Sequence, residues 1–192
     1  MSVAFVLLAA GEGSRWDGPG HKLMARVGTS TVIDLALSHA AQGFPDELIV
    51  VQGAVDLTEA VAGRATILVN DVWSQGQGSS LELAIGHCRD MCHKSLVIGL
   101  GDQPWLDPRA WRAIATSGTR PMAVALYGDR RGHPIRLDAE VWPLLDLTAD
   151  EGARALLHDR PELVEAVPCP GNPADIDTMG DLHRWSSSTN SP

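Results

Sequence analysis

Short apolar runs punctuate the chain, and between them apolar residues recur at helical spacing. Phe5-Val6-Leu7-Leu8-Ala9 is the first run. Leu48-Ile49-Val50-Val51, Thr66-Ile67-Leu68-Val69, Leu96-Val97-Ile98-Gly99-Leu100 and Met122-Ala123-Val124-Ala125-Leu126 follow. Such runs, rich in branched residues and without polar alternation, suit strands covered on both faces, as in a parallel sheet. Helices are predicted over Thr31 to Ala41 and Ser79 to His93. The second carries Leu81, Ala84, Ile85, Cys88, Met91 and Cys92 along one stripe. Asp107-Pro108 opens a third helix, because Asp caps an N-terminus and Pro fits the first turn. Strands alternating with helices imply a three-layer α/β domain with a mostly parallel sheet.

The second half is less regular. A strand is predicted over Gly132 to Leu137, helices over Glu140 to Leu147 and Gly152 to His158, and a short strand over Val164 to Val167. A last helix runs from Asp177 to Trp185, starting at Asp177 or Thr178. The stretch from Ser186 to Pro192 is rich in Ser, Thr, Asn and Pro and is expected to fray. No repeat or linker divides residues 1–185, so one domain is expected.

Composition narrows the function. The 192 residues are 44% hydrophobic and 20% charged, a globular balance. A chain of this size buries roughly 70% of its unfolded surface, enough for a sizeable core. No apolar run is long enough for a membrane-spanning helix. Met1-Ser2-Val3-Ala4 lacks the basic stretch of a signal peptide and leads directly into the first strand. A net charge of −9 and a pI near 5.1 argue against a general nucleic-acid binder. Three cysteines, an odd number, argue against a disulfide framework and fit a reducing cytoplasm.

The most informative stretch is Leu8-Ala9-Ala10-Gly11-Glu12-Gly13-Ser14-Arg15, with Lys22 beyond it. A buried strand runs into a glycine-rich turn, and in open α/β sheets ligands bind outside the carboxyl ends of strands. Glycines let successive backbone N–H groups face one concavity, which favours anions. The loop is not a P-loop, because no Lys-Ser/Thr follows the second Gly of a Gly-x-x-x-x-Gly frame. Nor is it a dinucleotide fingerprint: Gly11 and Gly13 fit, but Trp16 stands where Gly or Ala must allow a helix to pack. Between Gly13 and Gly28 the cations Arg15, Lys22 and Arg26 face Asp17 alone, a local reversal in an acidic chain. A triphosphate needs such a concentrated positive field. Gly101-Asp102-Gln103-Pro104 follows another buried run, which puts Asp102 on the same rim. Mg²⁺ takes hard oxygen ligands and keeps waters, so one or two carboxylates plus phosphate oxygens suffice.

These residues resemble the N-terminal signature of the MobA-like nucleotidyltransferases, closest to the molybdenum cofactor cytidylyltransferase-like branch. The resemblance spans roughly Val3 to Trp185 and implies a Rossmann-like α/β/α fold. It implies that Leu8 to Ser14 hold the nucleotide, that Arg15 and Lys22 hold its phosphates, and that Asp102 binds Mg²⁺. Asp177, in Asp175-Ile176-Asp177-Thr178, would add a second metal contact, although it also suits the N-cap of the last helix. The family spaces Arg and Lys about five residues apart; here the gap is seven. Asn70 and the run Gly78-Ser79-Ser80-Leu81 resemble the stretch near the base, where capping by the serines is an equally good account. CTP is the donor that this resemblance implies. Gly132-His133-Pro134 and Glu151-Gly152-Ala153-Arg154 match the same branch; His133 and Gly132 would face the acceptor, and the turn at Gly152 would hold an anion.

The reaction implied is nucleotidyl transfer to a small phosphorylated acceptor, with molybdopterin leading and a molybdoenzyme or cofactor-pathway partner implied. A phosphate monoester is already largely dianionic at neutral pH, so no strong general base is needed. Three alternatives stay open at the level of sequence: a sugar-1-phosphate or GTP-using transferase, an NAD(P)-binding oxidoreductase and a non-catalytic nucleotide-binding regulator. Trp16, Trp73 and Trp105 are candidates for the acceptor pocket, and Trp111, Trp142 and Trp185 for packing. Cys88 and Cys92 are read as core.

Overall fold

The computed structural model describes residues 2–148 and 153–188. Strand β1 spans Val3–Ala9, and a small hairpin, β2 (Arg26–Val27) and β3 (Ser30–Thr31), precedes helix α1 (Val32–Ala41). Then come β4 (Glu47–Gln52), α2 (Thr58–Val61), β5 (Thr66–Val69), α3 (Gln77–Asp90) and β6 (Ser95–Leu100). The chain continues through α4 (Pro108–Thr116), β7 (Met122–Tyr127), β8 (Arg130–Asp138), α5 (Arg154–Asp159), β9 (Val164–Pro168) and α6 (Met179–Ser188).

Seven strands form one sheet in the order β5-β4-β1-β6-β8-β7-β9. Within it β8 runs against its neighbours β6 and β7, and every other pairing is parallel. Alternate residues of β1 divide the core. Phe5, Leu7 and Ala9 pack with Ile33, Leu37, Trp111 and Leu182 on one face; Ala4, Val6 and Leu8 pack with Leu81, Ile85, Cys88 and Leu157 on the other. The result is the expected three-layer α/β/α arrangement. Trp111 stacks on Phe5 at 5.0 Å, and Trp142 is buried with its ring N–H donated to the Leu137 carbonyl at 3.1 Å. Both are packing residues, as expected.

Several boundaries differ from the sequence reading. Helix α3 starts at Gln77 after Gly76, so Ser79 and Ser80 lie inside its first turn rather than capping it. It ends at Asp90; Cys92 takes a left-handed φ of 59°, and Met91 and Cys92 leave the buried stripe for solvent. The helix expected over Glu140 to Leu147 is only a tight turn at Trp142–Leu144, where Pro143 removes a donor and Leu145 is extended. Helix α5 starts at Arg154; Glu151 and Gly152 of the proposed anion turn lie outside the described residues. Helix α6 absorbs Ser186, and the rest of the expected fraying beyond Ser188 lies outside them too. Thr178 closes a capping box with Asp181, accepting from the Asp181 N–H at 3.1 Å while Asp181 accepts from the Thr178 N–H at 3.0 Å. Asp177 is therefore not the cap and its carboxylate turns elsewhere. The three cysteines are all free.

Candidate functional site

The carboxyl ends of β1 and β6 lie side by side because their backbones meet closely. A methyl group on Gly101 would stand 2.9 Å from the Ala9 Cβ, and the Gly101 N–H binds the Leu8 carbonyl at 2.9 Å. The glycine loop and Asp102 consequently share one rim. From Ala10 to His21 the chain forms no helix. A tight helical turn at Lys22–Met24 is capped by His21, whose Nδ1 accepts from the Leu23 N–H at 3.2 Å. The other ring nitrogen of His21 lies 3.0 Å from the Gly11 carbonyl. This brace folds the long Arg15–Lys22 segment back under the loop. The Lys22 stem then passes Gly13, where φ is +70° and a Cβ would sit 3.3 Å from Lys22 Cγ.

Lys22 Nζ lies 2.6 Å from Asp102 Oδ2 and 2.9 Å from Asp177 Oδ1, and Arg15 Nη1 lies 3.0 Å from Asp177 Oδ2. Two cations and two carboxylates are thus interleaved. Burial works against the Lys22 charge, but Asp102 and then Asp177 outweigh it and raise the pKa of the ammonium. Arg15 is mostly exposed, so its pair with Asp177 holds it loosely and leaves it able to turn to a ligand. The last segment is tied to the rim by the Ile176 N–H, which donates to the Asp102 carbonyl at 2.9 Å.

The donor set suits a hard divalent ion. Asp102 Oδ1 is buried and has no hydrogen-bond partner, a costly state for a carboxylate oxygen. A cation held by Asp102 and Asp177 would satisfy it, with phosphate oxygens and water completing the shell. Among the described residues no cluster of three or more His, Cys, Asp or Glu side chains forms a complete protein cage. Such a site would therefore depend on its substrate for ligands.

Two connected chambers open on this rim. The smaller, of about 340 Å³, is lined by Leu8, Ala10, Gly11, Glu12, Trp73 and Ser80, among others, and reaches Asp102. The larger, of about 660 Å³, shares Leu8, Gln77 and Leu100 with it and extends over β7 and β8. Gly132 and His133, which the resemblance placed on the acceptor, line the larger chamber. Burial, then the nearby Arg154 cation, pushes the His133 imidazole down to about 4, so it is neutral at pH 7. Its carbonyl accepts from Tyr127 Oη at 2.7 Å.

Other expected residues sit elsewhere. Asn70 is buried and saturated: its amide N–H₂ donates to Ser79 Oγ and Ser80 Oγ, both at 2.9 Å, and its oxygen accepts from the Val72 N–H. Asn70, Gly78 and Ser79 stand behind the chamber wall and shape it, while Ser80 lines it. Ala9 is buried beneath Gly101, and Gly13 and Ser14 belong to the loop beside Lys22 rather than to the chamber lining. Trp73 lines the smaller chamber. Trp185 packs against the core as expected, and it also lines the larger chamber and meets Trp105 at 6.4 Å. Sequence reasoning also left Gln103, Asp175, Arg130, Arg131 and Arg154 without roles, and all five line the larger chamber. No common sequence signal marks them: Arg130 and Arg131 open β8, Arg154 opens α5, and Gln103 and Asp175 lie in loops.

Comparison with known proteins bears on the family and the fold. A model of the MobA-like NTP transferase domain matches residues 5–165. The chain is 32% identical over 199 aligned positions to nicotine blue oxidoreductase of Paenarthrobacter nicotinovorans, covering 95% of each protein. It is 27% identical to Rv0371c of Mycobacterium tuberculosis H37Rv, solved in complex with manganese, with a TM-score of 0.80 over 98% of this chain and 100% of that one. A Methanothermobacter nucleotidyl transferase shares the fold, with a TM-score of 0.83 at 23% identity over 97% of both chains.

Proposed function

The chain belongs to the MobA-like NTP transferase family, and from that premise we propose that it transfers CMP from CTP to a small phosphorylated acceptor, molybdopterin being the leading candidate. The observation that carries this reading is the convergence of Lys22, Asp102 and Asp177, within 2.9 Å, beneath the glycine loop. In the proposed reaction an acceptor phosphate oxygen forms a bond to the α-phosphorus. The bond from that phosphorus to the β-bridging oxygen breaks, and pyrophosphate leaves with the electron pair. The loop N–H groups and Arg15 hold the polyphosphate, and Lys22 neutralises charge where it gathers. Asp102 and Asp177 would hold Mg²⁺, which supplies Lewis-acid polarisation of phosphate oxygens. His133 is neutral and so can orient an acceptor group without adding charge. The arrangement needs positioning and electrostatics rather than a nucleophilic side chain. Pyrophosphate release should require CTP, Mg²⁺ and acceptor together. Release that is indifferent to Asp102→Asn would overturn the assignment.

A second reading takes its weight from the relative named as an oxidoreductase. Against it, the chain after Gly13 runs as a loop, so no helix N-terminus follows the glycines to receive a dinucleotide pyrophosphate. Oxidation of NADH or NADPH by a quinonoid dye, measured beside pyrophosphate release, separates the two activities.

A further inference from the structure

Lys22 stands where a bridging cation would stand. Its Nζ lies 2.6 Å from Asp102 Oδ2 and 2.9 Å from Asp177 Oδ1, so one ammonium spans both carboxylates. Arg15 Nη1 takes Asp177 Oδ2 at 3.0 Å. The remaining oxygen, Asp102 Oδ1, is enclosed by the fold. Every open oxygen of the pair is thus matched to a nitrogen cation. As these side chains lie, a divalent ion gains both carboxylates only by taking the position of Lys22 Nζ.

The fold makes that position definite. The Lys22 side chain is 11% exposed, against 75% for Arg15. Its stem passes close under Gly13, and the His21 ring, 3.0 Å from the Gly11 carbonyl, braces the turn that Lys22 opens. Withdrawing a charge from such a place uncovers two half-buried carboxylates, so it leaves only when another cation replaces it or an anion draws it off. Arg15 is a solvated partner of one oxygen and is held far more weakly. The two side chains carry the same charge, so any difference between them reports position rather than net charge.

We propose that Lys22 is a built-in competitor of the divalent ion: its ammonium holds the place between Asp102 and Asp177 and keeps metal out while it stays there. The inference concerns regulation of the proposed transferase site and rests on that reading for the metal carboxylates. A triphosphate is an anion able to draw the ammonium off, so nucleotide and metal would enter together. The test uses neither nucleotide nor turnover. Mn²⁺ binding to the full chain is measured by equilibrium dialysis and electron paramagnetic resonance at fixed ionic strength. Lys22→Met keeps the stem and should bind Mn²⁺ about tenfold or more tightly than wild type. Arg15→Met removes the same charge and should gain less than about threefold. Adding Asp102→Asn to Lys22→Met should abolish the gain. Equal binding by wild type and Lys22→Met overturns the proposal, as does an equal gain in Arg15→Met or a gain that survives Asp102→Asn. Wild type binding Mn²⁺ alone with a Kd of about 10 μM or below overturns it whatever the stability of the variants. Pyrophosphate release from CTP and acceptor without any Mn²⁺ gain in Lys22→Met would leave the transferase reading standing and remove this one. The Mn²⁺ gain without pyrophosphate release by wild type would do the reverse.

Discussion

Lys22 shows how much a single side chain can reveal and conceal. Its charge, set among Arg15 and Arg26 in an acidic chain, marks it in the sequence as a candidate for holding phosphate. Its reach is not legible there, because the seven-residue gap is bridged by His21, whose ring ties Gly11 to the Lys22 turn. A histidine between two glycine-rich stretches carries no local signal of that brace. Asp102→Asn is nearly isosteric and should leave the melting temperature close to wild type while lowering turnover about a hundredfold or more, measured by pyrophosphate release. Lys22→Ala should do likewise to turnover but also leave two carboxylates facing each other, so its loss should ease at high ionic strength. His21→Ala should cost about ten- to a hundredfold, because it misplaces Lys22 rather than removing it. A His21→Ala enzyme as active as wild type would show that the brace is dispensable.

Elements were legible where apolar runs stand alone and less so where turn chemistry competes. The residues Thr66–Val69 form a strand as the pattern states, and Thr31 opens α1 with its side chain accepting from the Asp34 N–H. Replacing Thr31 by Ala should destabilise the protein by about 1 kcal/mol in chemical denaturation. The start of α3 was misread because Ser79 and Ser80 look like caps, although Asn70 holds both hydroxyls and Gly76 turns the chain. At the opposite end of the sheet, Glu47 at the start of β4 accepts from Thr66 at 2.7 Å and meets His87 and His93 at 3.0 and 2.8 Å. Burial opposes its charge, but the Thr66 and histidine hydrogen bonds prevail and hold its pKa at about 2. The folded value lies below the unfolded one, so this contribution is present above about pH 4.5 and is lost as pH falls toward 2. Wild type should therefore lose stability faster than Glu47→Gln across that acidic window in denaturation curves; parallel curves would refute the linkage.

At the scale of the molecule, the sequence conveys layers and a mostly parallel sheet, but not the reversed strand. Tyr127-Gly128-Asp129-Arg130 joins β7 to β8 through a tight turn with Gly128 at φ +65°, a hairpin signal that the surrounding α/β alternation masks. That hairpin brings Arg130 and Arg131 to the large chamber, which is why their role could not be read beforehand. The two chambers together predict a metal-dependent thermal response. CTP with Mg²⁺ should raise the melting temperature more than CTP with a chelator, and equal shifts would argue against carboxylate-held metal. Among the described residues no helix is long and apolar enough to cross a membrane. The ionic knot at Lys22 joins positions 22, 102 and 177, and the last of these follows the final strand of the sheet. The knot therefore closes only once a segment beyond the last strand has folded back onto the rim. A truncation after Pro168 removes Asp177 together with the buried Ile176 and Leu182, so lost activity and lost stability should arrive together, the last segment serving as both latch and core.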